Sequence, residues 1–173
     1  MPAQLTLVLG GIASGKSAFA EGLVRQSGKP MIYLATAQAF DDEMTQKIAR
    51  HRKARGPGWH TIEEPLAVAQ RLRDIAAGHC VLLDCATLWL SNHLLSDSDL
   101  EAETHALLAG LADCTSDLVV VSNEVGLAGV PDNALARRFA NAQGRLNQSI
   151  AARAARVILV TAGLPVTLKG PVA

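Results

Sequence analysis

The sequence contains few aromatic residues, and this scarcity restricts the kind of core that the chain can build. Phenylalanine, tryptophan and tyrosine make up 3% of the 173 residues, whereas hydrophobic residues as a whole make up 49% and are mostly alanine, leucine and valine. Such a composition favours helices packed on an aliphatic sheet over a small module with an aromatic core. The length suits one domain, so residues 1–173 are expected to form a single unit.

An excess of charge of either sign is also missing. Sixteen basic residues balance sixteen acidic ones, which gives a formal net charge of +0. Without such an excess, no overall field attracts nucleic acid or an anionic membrane. Because the sequence also lacks a basic stripe interleaved with aromatic residues, a nucleic-acid-dependent ATPase is disfavoured. We expect no nucleic-acid partner.

Long apolar runs and paired cysteines are absent as well. No run approaches the roughly 18 residues that a membrane span requires, and the first four residues lack the features of a signal peptide. The three cysteines, Cys80, Cys85 and Cys114, match neither a C-x-x-C motif nor a zinc spacing. They are typical of reduced, buried thiols. We therefore expect a cytoplasmic protein with no membrane span.

Short apolar runs alternate with segments that are long enough for helices. Strands are predicted at 5–9, 31–35, 81–84, 118–122 and 157–160, with a short edge strand at 166–168. Helices are predicted at 16–26, 42–54, 65–76, 87–95, 100–111 and 133–155. Apolar strands that alternate with helices indicate an α/β fold whose mainly parallel sheet is covered by helices on both faces.

The last predicted helix has an apolar stripe. Leu135, Phe139, Leu146 and Ile150 recur at helical spacing, and Ala142 lies between them. A stripe of this kind is typical of a helix that packs on a core. We expect this helix to cover one face of the sheet.

A glycine-rich segment follows the first predicted strand. It reads Gly10, Gly11, Ile12, Ala13, Ser14, Gly15, Lys16 and Ser17. The glycines let the backbone fold around phosphates with its N–H groups pointing inward, and the next helix adds its positive end. Lys16 can reach the β- and γ-phosphates, and the Ser17 hydroxyl can ligate Mg²⁺. The segment predicts a P-loop NTPase-like fold that binds a nucleoside triphosphate with Mg²⁺.

A carboxylate follows the apolar run of the predicted strand 81–84. This residue, Asp84, would lie at the same sheet edge as the glycine-rich segment, because the carboxyl ends of parallel strands meet there. An acid in that position can organise Mg²⁺ through its water shell. We predict that Ser17 and Asp84 are the metal-site residues.

One histidine lies in a basic surrounding. Lys47, His51 and Arg55 recur at four-residue spacing, so they share one face of the predicted helix. Neighbouring cations favour the neutral imidazole, which is the nucleophilic form and could attack an α-phosphate. The pattern alone also allows a solvated surface histidine, and by itself it favours that interpretation.

Several segments together resemble one known family, in the family's order and over nearly the whole chain. They lie at 9–21, 33–38, 41–44, 51–55, 59–63, 82–85, 122–126, 130–131 and 144–148. The most specific are Asn-Glu-Val-Gly at 123–126 and Gly-Arg-Leu-Asn-Gln at 144–148. The sequence resembles the bifunctional adenosylcobinamide kinase/adenosylcobinamide-phosphate guanylyltransferase family of cobalamin biosynthesis.

The resemblance implies two reactions. Members of the family phosphorylate adenosylcobinamide with ATP or GTP. They then transfer GMP from GTP to adenosylcobinamide phosphate through a guanylylated histidine and release pyrophosphate. His51 matches the position of that nucleophile, with Lys16 as a second catalytic residue. The resemblance also implies a homotrimer.

The same resemblance implies a set of GTP-site residues. They are Gly10, Gly11, Ile12, Ala13, Ser14, Gly15, Lys16, Ser17, Thr36, Ala37, Gln38, Arg52, Lys53, Ala54, Arg55, Glu63 and Asp84. One departure is Gly56 before Pro57, where relatives often continue from arginine straight into proline. It predicts a turn that is one residue longer after the helix of His51.

Two other functions are compatible with part of the pattern. A simple P-loop kinase of a small metabolite would share every feature except the need for a histidine. A GTP-binding switch is disfavoured because no Asn-Lys-x-Asp motif is present, and residues 122–125 lack the lysine.

Overall fold

The computed structural model describes residues 3–39 and 42–171, without the side chains of Glu43, Lys47 and Ala54. Within these residues the strands are β1 (Leu5–Gly10), β2 (Met31–Ala35), β3 (Trp59–Glu63), β4 (Cys80–Asp84), β5 (Asp117–Asn123), β6 (Arg156–Thr161) and β7 (Leu164–Lys169). The α-helices are α1 (Lys16–Gln26), α2 (Asp42–Arg55), α3 (Val68–Asp74), α4 (Ala86–Leu95), α5 (Leu100–Asp113) and α6 (Ala134–Arg153). A short 3-10 helix spans Gly126–Ala128.

The strands form one sheet with the order β3-β2-β4-β5-β1-β6-β7. All neighbouring pairs are parallel except β6 and β7, which are antiparallel. This arrangement confirms the predicted mainly parallel sheet. Because β5 lies between β4 and β1, the carboxyl ends of these three strands meet at the same edge.

Alternate side chains of the central strands contribute to two separate cores. Leu7 of β1 faces a core that includes the buried side chains of α3, α4, α5 and α6. Val8 faces the opposite core, which includes Ala20 and Val24 of α1. Successive residues of a strand point to opposite faces, so apolar residues at consecutive positions imply burial on both faces. The prediction of helices on both faces is confirmed.

Helix α6 buries its predicted apolar stripe only in part. Leu146 and Ile150 are buried in the core, and Phe139 packs partly against it. Leu135, in the first turn, is 54% exposed. The stripe therefore covers the core with the C-terminal half of the helix, and its N-terminal end remains on the surface.

Many element bounds differ from the sequence prediction by one or two residues, and three elements differ in a more informative way. The strand β3 was not predicted. Helix α3 begins later than residue 65, because the Glu64 carboxylate accepts hydrogen bonds from the backbone N–H groups of Leu66 and Ala67 and holds a turn there. Strand β7 is longer than predicted, since Ala162 and Gly163 both have positive φ and close a tight hairpin from β6.

The cysteines behave as predicted. Cys80, Cys85 and Cys114 are free thiols with buried side chains. In the part of the chain that the structure describes, no helix has the length and apolar character needed to cross a membrane.

Helices α3 and α5 pack closely at a glycine, and this contact generates a test of the fold. A Cβ added to Gly110 would lie 2.8 Å from Cα and 3.0 Å from Cβ of Ala69. We predict that Gly110→Ala lowers the free energy of unfolding by about 1–3 kcal/mol, because the two backbones would have to separate. Urea denaturation measures the change.

Gly22 in α1 supplies the matched control. A Cβ at this position would meet no atom within 4 Å. Gly22→Ala should therefore stabilise the protein by roughly 0.5–1 kcal/mol, through helix propensity alone. Equal stabilisation by both substitutions would contradict the close α3–α5 contact.

Candidate active site

The glycine-rich segment forms a loop between β1 and α1. Ala13 and Gly15 have left-handed backbones, with φ of 56° and 91°. Backbone turns of this kind direct successive N–H groups towards one point and form an anion-binding nest. Gly15 caps α1 without a side-chain hydrogen bond. The first N–H groups of the helix are thus available to a phosphate.

The turn between β6 and β7 supports this loop from behind. The N–H of Gly163 donates a hydrogen bond of 2.8 Å to the carbonyl oxygen of Ser14. A Cβ on Gly15 would lie 3.1 Å from Cα of Gly163, and one on Gly10 would lie 2.7 Å from the carbonyl oxygen of Val160. The two motif glycines therefore allow the loop to sit directly on the end of the sheet.

Lys16 lies over the loop that precedes it. Its Nζ atom donates a 3.0 Å hydrogen bond to the carbonyl oxygen of Gly11. The ammonium group is thereby held at the cradle, where the predicted role requires a positive charge.

A cavity of about 350 Å³ opens beside the cradle at the carboxyl edge of the sheet. This volume lies within the ~300–1,000 Å³ that is typical of small-molecule sites. Ten of the residues predicted for the site line it: Ile12, Ala13, Lys16, Ser17, Ala37, His51, Arg52, Arg55, Glu63 and Asp84. The cradle, the helix of His51 and the strand-end acid therefore face one cavity.

Other residues predicted for the site are not part of the cavity lining. They are Gly10, Gly11, Ser14, Gly15, Thr36, Gln38 and Lys53. The side chain of Ala54, also predicted for the site, lies outside the described residues. The glycines and Ser14 belong to the backbone of the cradle. The side chain of Thr36 is buried and exchanges hydrogen bonds with the backbone of Cys85, at 2.8 and 2.9 Å. Thr36 thus joins the ends of β2 and β4, and contact of these residues with a nucleotide stays a prediction.

Asp84 is held by a tyrosine of the neighbouring strand. The phenol of Tyr33 donates a 2.7 Å hydrogen bond to Oδ2 of Asp84. Burial, and then the nearby Asp84 charge, raise the pKa of Tyr33 well above its usual range, so the phenol keeps its proton. A carboxylate has about four lone-pair sites, and one donor leaves several of them for a cation.

The cavity offers a few oxygen donors. This suits Mg²⁺, which shares its ligands with a nucleotide, better than a metal that is bound only by protein side chains. Ser17 and Asp84 both line the cavity. Among the residues that the structure describes, no cluster of three histidine, cysteine, aspartate or glutamate side chains could hold a metal. Mg²⁺ usually takes one or two protein oxygens together with phosphates and water. The donor set is therefore compatible with Mg²⁺ that arrives with a nucleotide.

The C-terminal end of α2 is fixed to this part of the sheet by Arg55. This side chain is 6% exposed, and its guanidinium carbon lies 3.4 Å from the ring centroid of Tyr33. The backbone carbonyl oxygen of Arg55 accepts a 2.9 Å hydrogen bond from the guanidinium group of Arg25 in α1. Gly56 follows with φ of 72°, which is the left-handed conformation that commonly ends a helix.

His51 lies one turn before Arg55 and is exposed. Both residues line the cavity, which agrees with the shared helix face that their spacing predicts. The side chain of Lys47, the third member of this pattern, lies outside the described residues. The neighbouring Arg52 forms an ion pair with Glu63 of β3, with 3.6 Å between Nη2 and Oε1. Because both side chains are mostly exposed, the pair adds little stability but brings α2 and β3 together at the rim of the cavity.

The cysteine at the cavity is poorly suited to act as a nucleophile. Burial, followed by the charge of Asp84, raises the pKa of the Cys85 thiol to about 11. A thiol in this state carries almost no thiolate at neutral pH. Among the nucleophile types in the described cavity lining, the exposed imidazole of His51 is better suited to attack phosphorus.

Sequence reasoning missed several residues of the cavity. Tyr33, Thr61, Leu88 and Asn123 all line it. Asn123 could have been predicted in the same way as Asp84, because each is a polar residue at the end of an apolar parallel strand. The strand order was needed to recognise it, because only that order brings the end of β5 between β1 and β4.

Comparison with solved structures supports the fold. The chain is similar to the flagellar accessory protein FlaH from Methanocaldococcus jannaschii, with a TM-score of 0.55, 14% identity, and coverage of 98% of this chain and 80% of that one. It is also similar to the RadB recombinase, with a TM-score of 0.54, 19% identity, and coverage of 91% and 74%. At these identities the likeness concerns the fold alone, and it confirms the predicted P-loop NTPase-like class.

Comparison with known sequences shows the family as well as the fold. The bifunctional adenosylcobalamin biosynthesis protein CobP of Pseudomonas aeruginosa is 50% identical, over 95% of this chain and 96% of its own length. The bifunctional adenosylcobalamin biosynthesis protein CobU of Escherichia coli strain K12 is 38% identical, over 96% of this chain and 100% of its own length. The family model described as cobinamide kinase / cobinamide phosphate guanyltransferase matches residues 6–168. The chain therefore belongs to the cobinamide kinase/cobinamide phosphate guanyltransferase family, as its motifs predict.

Proposed function

We propose that this chain is a bifunctional transferase that acts on a corrinoid. It phosphorylates adenosylcobinamide with ATP or GTP, and then transfers GMP from GTP to adenosylcobinamide phosphate. The observation that carries the proposal is the single cavity that Lys16, His51 and Asp84 share. Membership of the family, and the names of the bifunctional relatives, support the substrate.

In the kinase step, the hydroxyl oxygen of adenosylcobinamide attacks the γ-phosphorus. The bond from this phosphorus to the bridging oxygen breaks, the hydroxyl proton passes to solvent, and the diphosphate leaves. The N–H groups of the cradle and the ammonium of Lys16 counter the charge that develops on the leaving group. Phosphoryl transfer depends mainly on positioning and charge stabilisation, so a dedicated base is not required.

In the guanylyl-transfer step, the unprotonated imidazole nitrogen of His51 attacks the α-phosphorus of GTP. A phosphorus–nitrogen bond forms, and the bond to the bridging oxygen breaks to release pyrophosphate. A phosphate oxygen of adenosylcobinamide phosphate then attacks the same phosphorus and frees His51. The leaving pyrophosphate occupies the β and γ positions, so the same cradle stabilises the leaving groups of both steps.

Two arginines on the helix of His51 supply charge for this step. Arg52 and Arg55 line the cavity together with His51. Guanidinium groups bind phosphate oxygens well, and here they would counter the negative charge around the α-phosphate. Ser17 and Asp84 are the residues that would hold Mg²⁺, which would neutralise phosphate charge when bound.

We also propose a homotrimer in the cytoplasm. Apolar side chains on the surface support self-association: Leu127, Val130 and Leu135 are 85%, 84% and 54% exposed. The three residues lie within nine positions of the chain, and a contiguous exposed apolar patch often marks a contact surface. The three buried free thiols suit a reducing compartment.

One prediction of this proposal concerns the shared cradle. In Lys16→Met, the side chain keeps its length but loses its charge, so both phosphorylation and guanylyl transfer should fall by about 100-fold or more. Diphosphate release in the presence of adenosylcobinamide measures the first activity, and transfer of labelled GMP measures the second. Lys29→Met removes a surface lysine that pairs with Asp117 and should leave both rates nearly unchanged. Loss of one activity alone would contradict a shared cradle.

Another prediction separates the two steps. His51→Ala removes the nucleophile, so incubation with α-labelled GTP should give no acid-labile protein adduct and no guanylyl transfer. Phosphorylation of adenosylcobinamide should persist, because that step forms no bond to His51. His105→Ala, at an exposed position on α5 outside the cavity lining, serves as the control.

Two outcomes of this experiment count against the proposal. Equal loss of both activities in a folded His51→Ala protein would show that the histidine has no separate role. The absence of an adduct on the unsubstituted protein, with phosphorylation intact, would instead favour a simple kinase.

A further inference from the structure

The two most specific motifs of the sequence meet at the end of β5. Asn123 is the last residue of this strand, and in the parallel register it pairs with Gly10 at the start of the cradle. On the other side of β5, Val121 pairs with Asp84. Asn123 therefore extends two residues beyond Asp84, at the edge between the phosphate cradle and the acid.

The backbone of Asn123 is held from both sides by side chains. Its N–H donates a 2.8 Å hydrogen bond to Oγ1 of Thr87. Its carbonyl oxygen accepts a 3.0 Å hydrogen bond from Nδ2 of Asn147, which belongs to the motif at 144–148. With both backbone groups engaged, the polar group that Asn123 can offer to the cavity is its carboxamide. No hydrogen bond of this carboxamide occurs with the residues that the structure describes.

A buried polar network supports Asn147. Oγ of Ser122 donates a 2.6 Å hydrogen bond to Oδ1 of Asn147. Nε2 of Gln143 donates to the same Oδ1 and to Oγ of Ser122, both at 2.9 Å. Ser122 and Gln143 are fully buried and Asn147 is 7% exposed. A buried network of this kind is costly for the core and holds its members in one arrangement.

We propose that Asn123 binds the γ-phosphate of the nucleoside triphosphate. Its carboxamide N–H donates a hydrogen bond to a γ-phosphate oxygen, and the network of Ser122, Gln143 and Asn147 positions it. The cradle and Lys16 hold the β- and γ-phosphates, and Asn123 lines the same cavity beside Gly10, so its carboxamide borders the space for the terminal phosphate. This contact distinguishes a triphosphate from a diphosphate, and it rests on the proposed use of a triphosphate in this cavity.

The experiment measures binding rather than turnover. Asn123→Ala is titrated with a non-hydrolysable GTP analogue and with GDP, each in excess Mg²⁺. We expect the affinity for the triphosphate analogue to fall about tenfold, the usual effect of losing a hydrogen bond to a charged group, and the affinity for GDP to change less than about twofold. Asn123→Asp places a negative charge beside the phosphate and should weaken triphosphate binding further, again with little effect on GDP.

Two further variants complete the design. Asn141→Asp makes the same chemical change at an exposed position on α6 and should leave both affinities unchanged. Thr87→Val keeps the shape of the side chain but removes the hydroxyl that accepts the Asn123 N–H. It should reproduce the selective loss of triphosphate affinity to a smaller extent. Thermal unfolding confirms that each variant is folded, and the Asp variant decides the question if the Ala variant does not fold.

The results separate this inference from the proposed function. Equal losses of triphosphate and GDP affinity, or no loss of either, would overturn the role of Asn123. Selective loss of triphosphate affinity would support that role even if the unsubstituted protein failed to phosphorylate adenosylcobinamide, and such a failure would contradict the proposed function alone.

Discussion

Parallel pairing of β1, β4 and β5 is the constraint on which the site depends. Because the strands run in one direction, their last residues meet at one edge, and each apolar strand ends there in a residue of different chemistry. The strands finish with Gly10, Asp84 and Asn123. The aliphatic cores on the two faces hold the strands in register, and polar side chains outside these cores can therefore act together.

A second link connects this edge to the helix of His51. Arg55 lies against the ring of Tyr33, and the phenol of Tyr33 donates to Asp84. The end of α2 and the acid of the sheet are thus in contact through one aromatic side chain. This contact explains how a mostly exposed helix can present His51 at a defined place beside the cradle. It also gives the two proposed reactions a common set of charges.

Much of the fold could be predicted from the sequence, because the central strands are continuous apolar runs and the P-loop motif marks the first turn. Elements at the edges of the sheet were harder to predict from the sequence. Among the described residues, strand β3 lies at the edge of the sheet beside β2, and its mixture of polar and apolar residues carries no signal of full burial. The hairpin before β7 depends on a left-handed Ala162, a conformation that alanine seldom adopts, and the late start of α3 depends on the Glu64 turn.

In the site, spacing indicated Lys16 and Asp84, whereas Tyr33 and Asn123 became recognisable only when the strand order was known.

If one cavity serves both reactions, each chain binds one nucleotide at a time, and the stoichiometry of nucleotide binding measures this. Titration calorimetry with a non-hydrolysable GTP analogue and Mg²⁺, repeated in the presence of a saturating ATP analogue, counts the sites. We expect one nucleotide per chain, and loss of GTP-analogue binding when the ATP analogue fills the cradle. Two nucleotides bound to each chain, or undiminished binding of the GTP analogue, would contradict it.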